Sequence, residues 1–311
     1  MKPDAAAPQR GSFVRDQAAG LREAGIDVEL LEMPPGWRRY AGTARQIRRV
    51  LRDGRFDLVH AHLSLTGWAA KLAGARPLVV TFHGTDVRHP VGNRLARILA
   101  RRVDLAGVAS RDLLTPALGR PGLRRRPGFT AILPCGADLE RFRPLDQATA
   151  RAELGLENDG RYLLFPAATG RPEKRFDRAS EVARLAGAKL LTAGRIDPKR
   201  MPLWVNAASA VLVTSEYEGF GLAAVEALGC GRPVLSTPVG IAPALLGGIE
   251  GCIAEPFDAE RWARLARAHL DAGDARVAGE TRAAWFSAPS LAERVAQAYA
   301  DLARVGSDDL S

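Results

Sequence analysis

The 311-residue sequence is poor in cysteine and aromatic residues, and it contains no long apolar run. The cysteines, Cys135, Cys230 and Cys252, are scattered and odd in number, which argues against a disulfide framework or a structural zinc site. Because no segment approaches the roughly 18 apolar residues of a membrane span and the N-terminus lacks a signal-peptide core, we expect a cytoplasmic protein. Aromatic residues make up 6% and do not alternate with arginines, which disfavours nucleic-acid recognition by base stacking.

Positive charge is concentrated in the first half of the chain. Residues 1–145 contain 25 Lys and Arg against 13 Asp and Glu, whereas the remainder contains 19 against 22. This asymmetry predicts that the first half contacts an anionic partner. The length and the 47% hydrophobic content predict two domains with cores of their own.

The stretch from Thr214 to Gly231 is the one around which the chain is organised. The apolar run Ala210–Thr214 before it predicts a buried parallel strand, and Leu222–Leu228 is rich in helix-forming residues. Gly219 and Gly221 lie where the loop enters the helix. A helix start with bare backbone N–H groups and the positive end of the helix dipole predicts a phosphate site.

Two carboxylates frame this predicted helix. Glu218 lies just before it and Glu226 follows eight positions later, about two helical turns along. The spacing is too long for both to act on one atom. Alone, they could equally be a loop acid and a surface helix residue.

A second candidate anion site opens the helix predicted after Pro172, a residue suited to the first turn. Arg171, Lys174 and Arg175 crowd the positive end of this helix. Because like charges at a helix N-terminus are unfavourable, the cluster predicts a bound anion.

The strands predicted at Leu58–His62 and Pro77–Phe82 carry the histidines of the first half. The second strand ends at His83, where ligands of open parallel sheets bind; alternatively, His83 is a turn residue paired with Asp86. His60 and His62 share one strand face, but no carboxylate or cysteine pattern nearby completes a metal site, and we expect no metal.

Three segments resemble one protein family. SEYEGFGLAAVEALGCGRPVLSTPVG (residues 215–240) resembles the E-x(7)-E segment of the GT-B retaining glycosyltransferases of family four. FDLVHAH followed by VVTFHGTD (residues 56–86) resembles the N-terminal domain of the same enzymes, and ILPCGADLERFRP (residues 132–144) resembles the segment that closes it.

The resemblance implies an α/β fold of GT-B type, with two Rossmann-like domains and a cleft between them. The expected parts are an acceptor-side domain (1–146), a nucleotide-sugar domain (147–288) and a C-terminal helix that crosses back (289–311). The sequence departs from the family at its start, because nothing strand-like precedes the loop that contains Gly11. A strand is nevertheless predicted at Val28–Leu31.

The resemblance also implies the reaction. We expect transfer of a sugar from a UDP- or GDP-sugar to an acceptor hydroxyl with retention of configuration, with no cofactor and no metal, in agreement with the lack of an Asp-x-Asp motif. The implied catalytic residues are Glu218, His83 and Lys174. The implied donor-binding residues are Arg171, Lys174, Glu218, Gly219, Phe220, Gly221, Leu222, Glu226 and Gly11.

The expected acceptor is a glycan or a lipid. On the helix predicted from Tyr40 to Leu51, four arginines (Arg45, Arg48, Arg49 and Arg52) form one face that could bind anionic headgroups on the inner side of a membrane, or could simply be solvated. Two alternatives to a transferase remain open at this point: a catalytically inactive subunit of this fold, and another GT-B enzyme such as a sugar-nucleotide epimerase or a phosphorylase.

Overall fold

The computed structural model describes residues 11–33, 40–88, 90–118, 129–194 and 196–308. In chain order its helices are α1 (Ser12–Glu23), α2 (Tyr40–Asp53), α3 (Ser64–Ala73), α4 (Thr85–Arg88), α5 (Pro90–Ala100), α6 (Leu114–Leu118), α7 (Gln147–Glu153), α8 (Phe176–Ala186), α9 (Met201–Ala207), α10 (Leu222–Gly229), α11 (Ala242–Leu246), α12 (Ala259–Asp271), α13 (Glu280–Ala284) and α14 (Ala288–Asp308). The strands are β1 (Val59–His62), β2 (Leu78–Phe82), β3 (Leu105–Val108), β4 (Phe129–Ile132), β5 (Tyr162–Phe165), β6 (Lys189–Thr192), β7 (Ala210–Val213), β8 (Val234–Ser236) and β9 (Ile253–Ala254). Within these ranges, no helix is both long and apolar enough to cross a bilayer.

The described residues form two compact units. The first comprises residues 11–135 and α14 from Leu291 onward, and the second comprises residues 136–290. Each unit contains one parallel β-sheet, as the predicted α/β class requires.

The sheet of the first unit has the order β1-β2-β3-β4, with every pair parallel. The central strand β2 is buried along its whole length, as its continuous apolar run predicts. Helix α3 packs closely against the sheet because residue 67 is glycine. A Cβ atom there would lie 2.9 Å from Val80 Cγ2 and 2.7 Å from Leu99 Cδ2.

The core of the first unit includes the C-terminal helix. Apolar residues of α1, of β2 and β3, of the segment just after β4 and of α14 form one cluster, which comprises Leu21, Val79, Leu105, Leu133, Ala292, Val295 and Leu302. The helix that is last in sequence thus supplies part of the core of the unit that begins the chain.

The strand predicted at Val28–Leu31 is wrong, because the structure leaves these residues outside any strand. Val28 still packs against the core, which explains the apolar pattern that suggested a strand. In the described part of the chain, β1 is the first strand and pairs only with β2, so residues 28–31 do not join the sheet. The segment before Gly11, where the sequence predicts no strand, lies outside the described residues.

The second unit contains a doubly wound sheet with the order β6-β5-β7-β8-β9, again all parallel. The chain runs from β5 outward to β6 and then crosses to β7 on the other side of β5. The strand order therefore reverses between β5 and β7. In sheets of this kind, ligands bind outside the carboxyl ends of the strands at such a switch point.

Helix α8 covers this sheet with the face that the sequence predicts. Ala179 and Val182 are fully buried, and Phe176 and Leu185 pack against the same core. Trp262 of α12, also fully buried, belongs to this cluster. These contacts fix the position of α8 and of the turn that precedes it.

Asn206 of α9 is a fully buried polar hub in the second unit. Its Oδ1 accepts hydrogen bonds from the backbone N–H of Leu145 at 2.9 Å and from Arg276 Nη1 at 3.2 Å. Its Nδ2 donates to the carbonyl oxygens of Arg143 at 3.1 Å and of Pro202 at 2.9 Å. One side chain thereby joins the segment before α7 to α9.

Candidate functional site

Lys174 and Glu218 form an ion pair at the switch point of the second sheet. Lys174 lies in a 3₁₀ turn (Pro172–Lys174) in the connection that leaves β5, and Glu218 lies in the loop that leaves β7. The Nζ atom of Lys174 is 2.6 Å from each carboxylate oxygen of Glu218, and Ser215 Oγ donates to Glu218 Oε1 at 2.7 Å. The two side chains are only 14% and 13% exposed, so water screens the pair weakly.

The two loops that carry this pair are hydrogen-bonded to each other. Thr214 Oγ1 donates to the carbonyl oxygens of Lys174 and Arg175, both at 2.9 Å. The backbone N–H of Glu216 donates to the carbonyl oxygen of Glu173 at 2.8 Å. Lys174 and Glu218 are therefore held in place by their backbones as well as by their own attraction.

The cation cluster predicted to need an outside anion has carboxylate partners within the chain. Arg171 pairs with Glu173 at 2.6 Å, and Arg175 pairs with Asp177 at 2.6 Å. Helix α8 begins only at Phe176, after the 3₁₀ turn, so Lys174 does not lie in its first turn. The prediction of three uncompensated cations at one helix start is wrong, because Glu173 and Asp177 pair with the two arginines and Glu218 pairs with Lys174.

Helix α10 begins beside the ion pair. Gly221 precedes the helix with φ 103°, a left-handed conformation that favours glycine, and no side chain caps the helix start. Leu222 is the first helical residue, and Gly219 and Phe220 lead into it. Glu226 is half-buried on this helix, two turns beyond Glu218, as the spacing predicts.

The loop before α10 is pressed against the loop that follows β8. The backbone N–H of Ile241 donates to the carbonyl oxygen of Phe220 at 2.8 Å. A Cβ atom at Gly240, whose φ is 56°, would lie 2.3 Å from that oxygen and 3.0 Å from Glu218 Cβ. Only glycine at residue 240 permits this approach, which supports the position of the Glu218 side chain.

The histidines of the first unit form a half-buried cluster at the carboxyl ends of β1 and β2. His62 Nδ1 lies 2.9 Å from His83 Nε2, and the ring of His60 stacks on that of His62 with centroids 4.4 Å apart. His60 also contacts Tyr299 OH at 2.6 Å and Thr81 Oγ1 at 2.8 Å. The ring of His83 therefore pairs with another histidine.

Asp86 does not pair with the ring of His83, contrary to the alternative considered above. Its Oδ1 accepts from the backbone N–H groups of His83 and Gly84, both at 3.1 Å, and its Oδ2 accepts from that of Ser64 at 2.9 Å. Asp86 therefore ties together the loops that follow β1 and β2. Gly11, the other family-implied residue of this unit, precedes α1 with φ 75°, and Ser12 is the first helical residue.

Burial keeps the histidines of the cluster neutral. It lowers the pKa of His60 to about 3, with a further contribution from His83, and it lowers the pKa of His83 to about 4. It also lowers the pKa of His62 well below the usual value of a histidine, and the neighbouring His60 and His83 add to this effect. All three rings therefore lack a positive charge at neutral pH.

We expect the chain to lose stability as the pH falls below 6.5, the ordinary pKa of histidine in an unfolded chain. Below that pH the histidines of the unfolded chain bind protons, whereas those of the folded cluster do not. The free energy of unfolding therefore falls by about 1.4 kcal/mol per pH unit for each histidine. The loss continues down to the folded-state pKa values of about 4 for His83 and about 3 for His60. Asp86, whose pKa is raised by burial, opposes this trend only as it becomes protonated in turn.

The measurement is the urea midpoint between pH 7 and pH 5 in a buffer with chelator. His60→Gln should reduce the pH dependence of the midpoint by the contribution of one histidine. Gln46→His, which places a histidine at an exposed residue, should leave that dependence unchanged. A midpoint that does not change with pH in the native protein would contradict the neutral cluster.

Two contacts of these sites were not anticipated from the sequence. Ser215 donates to Glu218, and its Ser-x-x-Glu spacing could have indicated that contact. The thiol of Cys135 lies near His62 and His83, which the sequence separates from it by more than fifty residues. Arg195 and the run Arg124–Arg126 lie outside the described residues.

Comparison with solved structures identifies the fold. Sucrose-phosphate synthase from Thermosynechococcus elongatus is similar with a TM-score of 0.70 at 20% identity, over 95% of this chain and 94% of that one. Anabaena HepE, in complex with UDP and glucose, is similar with a TM-score of 0.69 at 20% identity, over 96% and 98%. The two parallel sheets are those of the GT-B fold.

Family comparisons then cover most of the chain. The family model described as Glycosyltransferase Family 4 matches residues 11–141, and that described as Glycosyl transferases group 1 matches residues 165–271. The chain belongs to the family 4 glycosyltransferases. It is thus a glycosyltransferase, as predicted.

Curated relatives agree with this assignment. The D-inositol 3-phosphate glycosyltransferase of Thermobispora bispora is 29% identical, over 96% of this chain and 82% of that protein. The protein of the same name from Frankia alni is 29% identical, over 79% and 74%.

Proposed function

We propose that this enzyme transfers a sugar from a UDP- or GDP-sugar to a hydroxyl of a glycan or lipid acceptor, with retention of configuration and without a metal ion. The observation that carries the donor assignment is the Lys174–Glu218 pair at the point where the second sheet reverses its strand order. There, a fixed cation and a fixed carboxylate are available for a phosphate and for sugar hydroxyl groups, respectively.

Lys174 would neutralise the diphosphate as it leaves. Negative charge develops on the leaving diphosphate in the transition state, and a cation already held in place stabilises it without reorganisation. Arg171, whose side chain is 46% exposed beside Glu173, would add a second cation. The backbone N–H groups that follow Gly219 and Gly221, at the start of α10, would bind the phosphates as hydrogen-bond donors.

Glu218 would accept hydrogen bonds from the sugar, and Glu226 would accept them from the ribose. Glu218 accepts hydrogen bonds from Lys174 and Ser215, which keeps a largely buried carboxylate paired. Phe220 and Leu222 would line the same site. His83 as a catalytic residue, Gly11 as a donor-loop residue and the retention of configuration rest on the family resemblance.

An anionic acceptor is favoured by the charge of the first half of the chain, in which Lys and Arg outnumber Asp and Glu by 25 to 13. The curated relatives bear the name D-inositol 3-phosphate glycosyltransferase. We therefore propose inositol 3-phosphate as the first acceptor to test, ahead of neutral glycans.

The donor assignment is tested by thermal stabilisation with UDP, GDP, ADP and TDP and with their sugars. One nucleotide at a hundred times its Kd should stabilise the fold by about 2.7 kcal/mol. Lys174→Ala and Glu226→Ala should abolish this stabilisation, whereas Lys189→Ala, at an exposed lysine of the same unit, should retain it. If no nucleotide stabilises the chain, or if the Lys174 and Glu226 variants respond as the native protein does, the proposed donor site is wrong.

We further propose that α2 contacts anionic lipid when the acceptor is membrane-bound. Its four arginines, Arg45, Arg48, Arg49 and Arg52, are all exposed, while Ile47 is buried on the opposite face. The side chain of Arg48 donates to the carbonyl oxygen of Leu72 at 2.6 Å, which leaves the other three as better candidates for headgroup contacts.

Charge reversal should separate this proposal from a merely solvated surface. We expect Arg45→Glu with Arg49→Glu to weaken binding to phosphatidylserine vesicles by at least roughly thirtyfold, because each basic residue near such a surface contributes about 1 kcal/mol and each added carboxylate is repelled. The matched control is Arg264→Glu with Arg267→Glu, two exposed arginines of α12 in the second unit. Equal loss in both double variants would indicate a net-charge effect and refute a membrane role for α2.

A further inference from the structure

Three potential metal-ligating side chains of the first unit come together at the same edge of its sheet. His62 ends β1, His83 follows β2, and Cys135 lies just beyond β4. Because these strands are parallel, their carboxyl ends meet at one edge. One donor atom from each residue lies within 4.8 Å of the other two.

The separation of the two histidine nitrogens is close to that found on a bound ion. Two imidazole nitrogens on a tetrahedral Zn²⁺ are about 3.3 Å apart, given Zn–N bonds of about 2.0–2.1 Å. His62 Nδ1 and His83 Nε2 are 2.9 Å apart. An ion would need the rings to separate by only about 0.4 Å, which side-chain rotation supplies.

The surroundings of the three side chains fix their positions. Asp86 binds the backbone N–H groups of Ser64 and His83, and so holds the two histidine-bearing loops together. His60, anchored to Tyr299 and Thr81, stacks on the ring of His62. A site whose ligands are fixed in advance loses little conformational entropy on binding.

The chemistry of the donors selects the class of ion. Two imidazoles and a thiol suit borderline-soft ions such as Zn²⁺ and Co²⁺, and do not suit Mg²⁺ or Ca²⁺, which prefer oxygen. Burial supplies the histidines in the neutral form that ligation requires. The same burial raises the pKa of the Cys135 thiol above its usual range, so the ion would have to displace one proton from sulfur.

We propose that His62, His83 and Cys135 form a binding site for Zn²⁺ or a chemically similar divalent ion, with the three side chains at three corners of a tetrahedron and the fourth corner open. Binding forms two metal–nitrogen bonds and one metal–sulfur bond and releases the thiol proton to solvent. The proton shared between the two histidines moves to a ring nitrogen that does not bind the ion. This consequence rests on the proposed function, in which His83 takes part in the sugar transfer. An ion bound to His83 would keep the ring from that role and would lower the transfer rate.

The test uses untagged, chelator-treated protein titrated with Co²⁺ in the absence of any sugar nucleotide, so that it does not depend on the proposed donor site. The native chain should show a thiolate-to-cobalt charge-transfer band in the near ultraviolet, which one equivalent of Zn²⁺ removes. Cys135→Ser should lack the band. His62→Gln should weaken Co²⁺ binding by at least roughly tenfold, since even the loss of a supporting residue costs that much.

The matched controls are Cys230→Ser and Cys252→Ser, which remove the other two cysteines, both in the second unit. Both should keep the band. Circular dichroism at neutral pH verifies that each variant is folded. If the native chain shows no band, or if the band persists in folded Cys135→Ser, the proposal is overturned.

Discussion

We expect Lys174→Met to lower kcat/KM for sugar transfer by about 10²–10³-fold, the loss typical when one electrostatic contact to a developing charge is removed. Lys174 Nζ lies 2.6 Å from both carboxylate oxygens of Glu218, in a pair whose side chains are 14% and 13% exposed. Glu218→Gln should lose activity to a similar degree, because the neutral amide is a weaker acceptor for sugar hydroxyl groups. Initial rates with a saturating acceptor give both values.

The stability of the same variants separates a catalytic from a structural role. Lys174→Met leaves the Glu218 carboxylate largely buried without its cation, which should lower the free energy of unfolding by about 2 kcal/mol after allowance for its partial exposure. In the double variant Lys174→Met with Glu218→Gln, no charge is left unpaired. Its stability should therefore return to within about 1 kcal/mol of the native value, while its activity stays low.

The matched control is Lys189→Met, because Lys189 pairs with Glu157 at 3.0 Å in the same unit but with both side chains more than two-thirds exposed. Exposed pairs contribute little, so stability should change by less than about 0.5 kcal/mol and activity should be retained. A double variant of Lys174 and Glu218 that regains full activity would show that the pair is structural.

The second large effect concerns Asn206. We expect Asn206→Ala to lower the free energy of unfolding by about 3 kcal/mol, because it leaves buried backbone groups without hydrogen-bond partners. Its side chain serves the N–H of Leu145 and the carbonyl oxygens of Arg143 and Pro202, and it is fully buried. Urea denaturation at pH 7.5 measures the difference.

A matched substitution tests whether burial is the cause. Asn158 is an exposed asparagine of the same unit, and Asn158→Ala should change stability by less than about 0.5 kcal/mol. If Asn206→Ala lowers the free energy of unfolding by no more than this control does, the hydrogen bonds of Asn206 make no net contribution to stability, and water replaces them.

The sequence predicts well those features that a few neighbouring residues determine. The apolar runs of β2, β5 and β7 are buried strands, the helix after Gly221 begins where the glycines indicate, and Glu226 lies two turns along it. Such features depend on local periodicity and backbone freedom. The family resemblance added the class of enzyme, and the comparisons confirm it.

Contacts that depend on the order of the strands in a sheet could not be predicted from the sequence. Lys174 and Glu218 are 44 residues apart and meet only because β5 and β7 are neighbours. Cys135 joins the histidines because the carboxyl ends of parallel strands share one edge. At residues 28–31 the sequence predicted an element that the structure does not contain. The apolar pattern there indicated a strand, but a strand also requires pairing with a neighbour, which a pattern does not supply.

The placement of α14 determines the order in which the protein can fold during synthesis. The second unit is one continuous segment, residues 136–290, and all of it is available once that segment has left the ribosome. The first unit needs Ala292, Val295 and Leu302 to complete its core, so residues 11–135 cannot complete it before α14 has been synthesised. The unit encoded first is therefore finished last, and a fragment that ends at residue 135 would expose the apolar surface that α14 covers.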